Sequence, residues 1–117
     1  MHEKQSSTRF DAQDKAVKAA GIAIALVMRV PAQLKPIADQ VIRSASSVPA
    51  NIAEGAGRSG RDRLHHYRIA YGSAKEVDSH LQLLTRAGAL QVNRAENALQ
   101  LFDDVRAMIW RLLHPQP

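Results

Sequence analysis

The chain has 117 residues, of which 45% are apolar, 23% charged and 4% aromatic, and its formal net charge is +5. This length suits one soluble globular domain over residues 1–117 and is too short for two. The absence of cysteine excludes disulfides and thiolate metal sites and suits a cytoplasmic location, and the basic charge favours a polyanionic partner such as RNA or DNA.

The N-terminal part of the chain predicts one amphipathic helix behind a short tail. The segment MHEKQSSTRF lacks the apolar core of a signal peptide, and we expect residues 1–9 to be disordered. The first helix is predicted over about residues 11–29, where Gly21 would allow a close neighbour. Its predicted buried face contains Val17, Ala20, Ile24 and Val27, widened by Ala16, Ala23 and Val30. The apolar run over residues 19–28 has half of the about 20 residues that a membrane span needs, so we expect no membrane contact.

The second helix, predicted over about residues 33–56, has the most regular apolar pattern in the chain. Steps of three and four connect Leu34, Ile37, Ala38, Val41, Ala45, Val48 and Ile52. Pro49 predicts a kink rather than an end, because the apolar spacing continues to Ile52. We expect Gly55 and Gly57 to form the exit of this helix.

Two further helices are predicted over about residues 60–87 and 93–113. The apolar face of the third helix consists of Leu64, Tyr67, Tyr71, Ala74, Val77, Leu81 and Leu84. The fourth helix has Asn93 and Glu96 at the spacing of a capping box, and its inward face consists of Ala98, Phe102, Val105, Ile109 and Leu112. Short connections between four long amphipathic helices predict an all-α, up-down-up-down antiparallel four-helix bundle.

Small and polar residues lie beside the apolar seam of the second helix, at Ser44, Ser47, Asn51 and Gly55. The third helix has a matching cluster of small residues, Ala70, Gly72, Ser73 and Ala74. We expect the two backbones to approach closely, with Asn51 and the serines bonding across the contact. Glu54 and Glu76 lie among these residues and are predicted to pair with Arg43, Arg68 or Lys75.

A second, mixed face of the third helix predicts an interface between copies of the chain, because a monomeric bundle buries one face of each helix. Two apolar residues off the main face of the fourth helix indicate the same. The residues expected at this homo-oligomer interface are Ile69, His80, Leu83, Leu101 and Met108.

No pattern in the sequence predicts catalysis, a metal or a cofactor. Asp103 and Asp104 are adjacent and diverge on a helix, so they are not a catalytic pair. The histidines lack the i, i+4 spacing of helical zinc sites, and no serine has a base and an orienting acid in a recognisable pattern.

The basic segment GAGRSGRDR, residues 55–63, is the best candidate for a binding site. It follows a helix and lacks the lysine of a P-loop, which excludes that motif. Glycine-exposed N–H groups, a helix N-terminus and nearby basic side chains are nevertheless suited to an anion. We expect phosphate contacts from Arg58, Arg61, Arg63, His65, His66 and Arg68, and the alternative is a solubilising rim.

The segments QVIRSASSVPANIAEGAGRS and RIAYGSAKEVDSHL resemble the four-helix-bundle proteins encoded in intervening sequences of bacterial 23S ribosomal RNA genes. The positions that match the motif of that family are Gln40, Arg43, Ser47, Pro49, Asn51, Ile52, Ala53, Glu54, Gly55, Gly72, Ser73 and Glu76. The resemblance covers about residues 10–113. The chain departs from the family pattern near the first connection, where Val30 and Gln33 replace a phenylalanine and a glutamate, and at Leu64 and Tyr67, in a stretch that is usually more aromatic.

The resemblance implies a left-handed bundle, commonly assembled into a homopentamer, with no established enzymatic activity. It also implies kinship with the accessory protein of diversity-generating retroelements, a basic pentamer that binds nucleic acid and a reverse transcriptase. Two functions stay open at this point: a non-enzymatic nucleic-acid-binding oligomer, and a scaffold that presents a surface to another protein. An enzyme such as a nuclease lacks the acid cluster that would bind its metal.

Overall fold

Four α-helices account for most of residues 2–115. The computed structural model describes the backbone of residues 2–115 and the side chains of residues 8–115. The helices are α1 (His2–Val27), α2 (Lys35–Ala56), α3 (Gly60–Arg86) and α4 (Val92–Leu113), and a short 3-10 helix, Ala32–Leu34, precedes α2. Residues 2–115 contain no strand, so the predicted all-α fold is confirmed.

The helix ends agree with the predicted ones to within about two residues, except at the N-terminus. There the predicted start at Asp11 is wrong, because α1 begins at His2. Met1 and the side chains of residues 2–7 lie outside the described residues, so the predicted disorder of residues 1–9 stays a prediction.

The predicted capping box at the start of α4 is also wrong. The helix begins at Val92, behind Gln91, whose side chain makes no capping hydrogen bond. Asn93 therefore occupies the second helical position. Only at the cap position would its side-chain oxygen face the free N–H groups of the first turn. That oxygen instead accepts a hydrogen bond from the backbone N–H of Arg94, at 3.0 Å.

The face that α1 buries is made of alanine. Its buried side chains are Ala12, Ala16, Ala19, Ala20, Ala23 and Val27. Of the seven predicted residues, Ala16, Ala20, Ala23 and Val27 are buried, and Ile24 and Val30 are half-buried. The prediction is wrong at Val17, which is 52% exposed. Alanines at steps of three and four let the α1 backbone approach its neighbours closely, and this packing decides which apolar side turns inward. Gly21 is exposed, and a Cβ atom added there would have nothing within 4 Å, so the close neighbour expected at this position is absent among the described residues.

The predicted apolar faces of α2, α3 and α4 are confirmed. Their large, fully buried side chains are Val41, Val48, Ile52, Tyr67, Val77, Leu81, Leu84, Phe102, Val105 and Ile109. Five of the predicted positions are only half-buried: Leu34, Ile37, Leu64, Tyr71 and Leu112. All of them except Leu64 pack at the edge of the core. As the seam predicted, α2 continues through Pro49 and ends at Ala56.

Gly55 is a point of close approach between α2 and α3. It is buried, and a Cβ atom at this position would lie 2.6 Å from Cε1 of Tyr67 and 3.1 Å from the Arg63 carbonyl oxygen. The predicted role of Gly55 in the helix exit is therefore wrong, because α2 continues past it and Gly57 follows the last helical residue. The left-handed conformation in this connection belongs to Gly60, with φ of 59°.

Each helix packs against two others, in the cyclic order α1, α2, α3, α4. α2 and α3 run in opposite directions, since Asn51 contacts His66 whereas the earlier Ser44 contacts the later Glu76. The molecule measures 47 × 23 × 17 Å. These features are compatible with a four-helix bundle, while its up-down-up-down order and left-handed twist stay predictions. Within residues 2–115, the helices are too short or too polar to cross a membrane.

Replacing Gly55 by alanine is expected to lower the free energy of unfolding by about 1–3 kcal/mol, because the added methyl group meets the buried ring of Tyr67. Urea denaturation followed by circular dichroism measures the change. Gly21→Ala is the matched control, since it adds the same methyl group to an exposed helical glycine and should raise stability by about 0.5–1 kcal/mol. If Gly55→Ala has the same free energy of unfolding as the native chain, the ring of Tyr67 accommodates the methyl group without loss of stability, and the prediction is wrong.

Candidate nucleic-acid-binding surface

The six predicted phosphate contacts all lie at the α2–α3 connection or in the first turns of α3, but they differ in what surrounds them. Four of them are exposed: Arg58, Arg61, His65 and Arg68. Arg63 and His66 are half-buried, and their polar atoms bond to α2. The predicted set therefore divides into two side chains that bond to α2 and four that are exposed, of which Arg58 is ion-paired.

Arg58 belongs to an ion-paired group. Its Nη1 atom lies 2.7 Å from Oδ2 of Asp62, and its Nε atom lies 3.9 Å from Oε2 of Glu54. The hydrogen bond from Arg58 holds the pKa of Asp62 below its ordinary value, and the same bond raises the pKa of Arg58. The charge of Arg58 is thus balanced locally. The predicted partners of Glu54, which were Arg43, Arg68 and Lys75, are wrong, because a residue four positions along is already within reach.

Arg63 closes the C-terminal end of α2. Its Nε atom donates a hydrogen bond to the Gly55 carbonyl oxygen at 3.1 Å, and Nη2 donates to the Ala56 carbonyl oxygen at 3.5 Å. The last carbonyl groups of a helix have no partner within the helix, and a cation there also opposes the negative end of the helix dipole. Arg63 is therefore engaged in ending α2.

His66 joins a hydrogen-bonded chain between α2 and α3. The Asn51 Nδ2 group donates to the Ser47 carbonyl oxygen at 2.9 Å and to the Ser47 hydroxyl at 3.0 Å. This leaves the Asn51 side-chain oxygen as an acceptor, 2.9 Å from Nδ1 of His66, so Nδ1 is the protonated nitrogen. The Ser73 hydroxyl donates to the Ser47 hydroxyl at 3.0 Å. The predicted bonding of Asn51 and the serines across this contact is confirmed.

A further hydrogen bond in the same contact joins Ser44 to Glu76. The Ser44 hydroxyl is buried and donates to Oε2 of Glu76 at 2.7 Å, which replaces the arginine or lysine partner predicted for that glutamate. Next to this bond lies a shallow groove of about 310 Å³, and its lining includes the motif residues Gln40, Arg43, Ser47 and Ser73. Gly72 is exposed, with nothing within 4 Å of an added Cβ atom, and so takes no part in the contact.

Five exposed basic side chains form a row on the outer side of α3, which we name the basic stripe: Arg61, His65, Arg68, Lys75 and Arg86. Their spacing places them within a narrow sector of the helix, and the positions between them in that sector carry no acid. No member forms an ion pair among the side chains of residues 8–115. Lys75 and Arg86 were missed in the sequence, although continuing the helical spacing from Arg68 finds both.

The residues predicted at an oligomer interface differ in how far the chain itself covers them. Ile69 is 37% exposed and Leu83 is 51% exposed. Leu101 and Met108 are half-buried against the core of the same chain. The His80 ring donates through Nδ1 to the Glu76 carbonyl oxygen, 2.9 Å away on its own helix. The available apolar surface of this set is therefore concentrated at Ile69 and Leu83.

Acidic and metal-ligating side chains do not converge on this surface. Among residues 8–115, no group of three or more histidine, aspartate and glutamate side chains is placed to hold a metal ion. The acids nearest to the basic segment, Glu54 and Asp62, are both engaged with Arg58. What the surface offers chemically is positive charge and hydrogen-bond donors.

The fold and this surface define an all-α helical protein with a polar seam between α2 and α3 and a basic outer face. A family model described as 23S rRNA-intervening sequence protein matches residues 9–111. The chain belongs to the 23S rRNA-intervening sequence protein family, as its motif predicted. No curated protein matches the sequence.

A solved structure supports the fold. The chain is similar to a protein of unknown function of the S23 ribosomal protein family from Bacteroides thetaiotaomicron, with a TM-score of 0.83 and 22% sequence identity. The similarity covers 92% of this chain and 98% of that one. At this identity the likeness concerns the arrangement of the helices alone.

Replacing Asn51 by alanine is expected to lower the free energy of unfolding by about 1–2 kcal/mol, because it removes the bonds to Ser47 and leaves Nδ1 of His66 without its acceptor. Chemical denaturation measures this change. Asn97→Ala is the control, since Asn97 is exposed on α4 and its loss should change stability by less than about 0.5 kcal/mol. Equal effects of the two substitutions would contradict a stabilising role for the chain of hydrogen bonds.

Proposed function

We propose that the protein is a non-enzymatic, cytoplasmic homo-oligomer that binds the phosphate backbone of RNA or DNA through the basic stripe. The observation that carries this proposal is the row of exposed, unpaired cations along α3, with no acid in the same sector of the helix. An assembly of five copies is the state that the family resemblance implies.

The length of the stripe favours a polymer over a single phosphate group. From Arg61 to Arg86 the helix rises by about 37 Å, at about 1.5 Å per residue. Four of the five side chains are arginine or lysine, the side chains that most often contact phosphate groups. A line of cations can follow the regular charges of a strand, which gives affinity without reading sequence.

The engagement of the acids supports a non-enzymatic role. Arg106 binds Asp78 at 3.2 Å and also pairs with Asp103, while Asp104 pairs with Lys15 at 3.3 Å. Together with the bonds of Glu54, Asp62 and Glu76, these pairs engage six carboxylates, and no group of three acids or histidines among residues 8–115 is placed to hold the metal of a nuclease.

A protein–protein scaffold is the second candidate function. Ile69 and Leu83 are large apolar side chains that remain exposed beside the basic stripe. Apolar residues rimmed by polar ones are typical of protein interfaces. They suit either another copy of this chain or a different protein, such as a reverse transcriptase.

Replacing Arg61 and Arg68 together by alanine is expected to weaken binding to duplex RNA or DNA. It should also reduce the slope of log affinity against log salt by about 2, because each lost phosphate contact removes about one released counterion. Fluorescence anisotropy across a salt series measures both quantities. The effect should be the same for different nucleotide sequences.

The matched control for this pair is Arg29→Ala with Arg94→Ala. Both arginines are exposed and lie outside the stripe, Arg29 in the α1–α2 connection and Arg94 in the first turn of α4, so the control removes the same net charge. If the two double variants bind equally well, the basic stripe is not the contact surface. If the native chain shows no binding even at low salt, the proposed function is wrong.

Replacing Ile69 and Leu83 together by aspartate is expected to reduce the mass in solution from that of an oligomer to 12.9 kDa, because charge on both residues disfavours a buried interface. Light scattering measures the mass. Val17→Asp is the control, since Val17 is 52% exposed on α1, away from the predicted interface. An unchanged mass in the double variant would place the interface elsewhere.

A further inference from the structure

A second groove lies between α3 and α4, outside the predicted binding residues. Its volume is about 690 Å³, and its lining includes Tyr71, Lys75, Trp110 and Arg111. α3 and α4 are antiparallel here, since Arg106 pairs with Asp78 while the later Trp110 shares the groove with the earlier Tyr71. The groove therefore lies toward the same end of the molecule as Arg61 and Arg68.

Trp110 presents an aromatic surface beside this groove. Its side chain is 48% exposed, and its indole stacks on the His114 imidazole with ring centroids 4.1 Å apart and an interplanar angle of 28°. The Nδ1 group of His114 donates to the Trp110 carbonyl oxygen at 2.9 Å, which fixes the imidazole against the indole. The indole is thus a braced, flat surface in contact with water.

The cations around Trp110 differ in their availability. Arg106 is engaged by Asp78 and Asp103. Lys75 and Arg111 form no ion pair among the described residues, and the Lys75 ammonium lies 6.0 Å from the centroid of the Tyr71 ring. Lys75 is also a member of the basic stripe. The groove therefore continues the positive surface of α3 and adds an aromatic ring to it.

We propose that this groove takes an unpaired base of a single-stranded nucleic acid, stacked on Trp110, with the adjoining phosphates on Lys75 and Arg111. The inference rests on the proposed function and narrows its substrate class. Stacking on aromatic side chains next to a cationic groove is how proteins hold single strands without sequence preference. In a duplex each base is stacked between the neighbouring base pairs, so its face is not accessible to an aromatic side chain on the protein surface.

The chain carries its own probe for this contact, because Trp110 is its single tryptophan. Intrinsic fluorescence is followed while a mixed-sequence single-stranded RNA of about 12 nucleotides, a length within the usual site sizes, is titrated into the full chain. The expected result is saturable quenching by the single strand and little quenching by the corresponding duplex. A nucleoside monophosphate that quenches at the same concentrations would overturn the assignment to a strand.

Two variants test the role of the ring. Trp110→Ala is expected to weaken single-strand binding about tenfold, while Trp110→Phe, which retains an aromatic face, loses less. Duplex binding should be unchanged in both. Val92→Ala is the control, because Val92 is an exposed apolar residue on α4 outside the groove.

The outcomes separate this inference from the proposed function. Both nucleic acids could bind with the salt dependence expected of the basic stripe, without quenching Trp110 and with equal affinity for the native chain and for Trp110→Ala. In that case the stacking site is wrong and the proposed function stands. If neither nucleic acid binds, both are wrong. If Trp110→Ala lowers the mass in light scattering, a second copy of the chain covers the groove, and the inference fails.

Discussion

The close contact between α2 and α3 is the constraint on which the rest of the surface depends. A glycine at position 55 leaves room for the ring of Tyr67, and short side chains along the same side of α2 let polar groups meet across the gap. An unpaired polar group in this contact would cost about 1–3 kcal/mol. The close approach of α2 and α3 therefore requires the hydrogen bonds that Asn51 and Ser47 form with His66 and Ser73. Once this side of α3 is committed to α2, its outer side must face solvent or a partner.

Sequence periodicity found the helices because α2, α3 and α4 carry large apolar side chains at helical steps. It wrongly placed Val17 in the buried face of α1, where alanine and valine compete. Hydrophobicity favours turning Val17 inward, but close packing favours a row of alanines, and the shape of the neighbouring helices decides. Periodicity has no information on that shape. The same limit applies to Gly55, whose purpose depends on a tyrosine twelve positions further along the chain.

The candidate site was only partly predictable for a related reason. Composition counts a charge but does not show whether a neighbour has already neutralised it. Arg58 and Arg63 have the same formal charge as Arg61, yet one lies between two acids and the other binds the carbonyl groups that end α2. Helical spacing does identify the outer side of α3, and on that side Arg61 and Arg68 continue into Lys75 and Arg86.

Antiparallel packing brings together features that are distant in the sequence. The first turns of α3 hold the connection to α2 on one side and expose cations on the other. The last turns of α4 return beside the middle of α3, at Tyr71 and Lys75. Trp110 and His114 are therefore next to the cationic half of α3, although about 40 residues separate them from it in the chain. The exposed indole of Trp110 does not contribute to the core, which contains Phe102 and Ile109. Beside Lys75 it is suited to a ligand that carries both a flat ring and a negative charge. A strand of unpaired nucleotides has that combination at every residue.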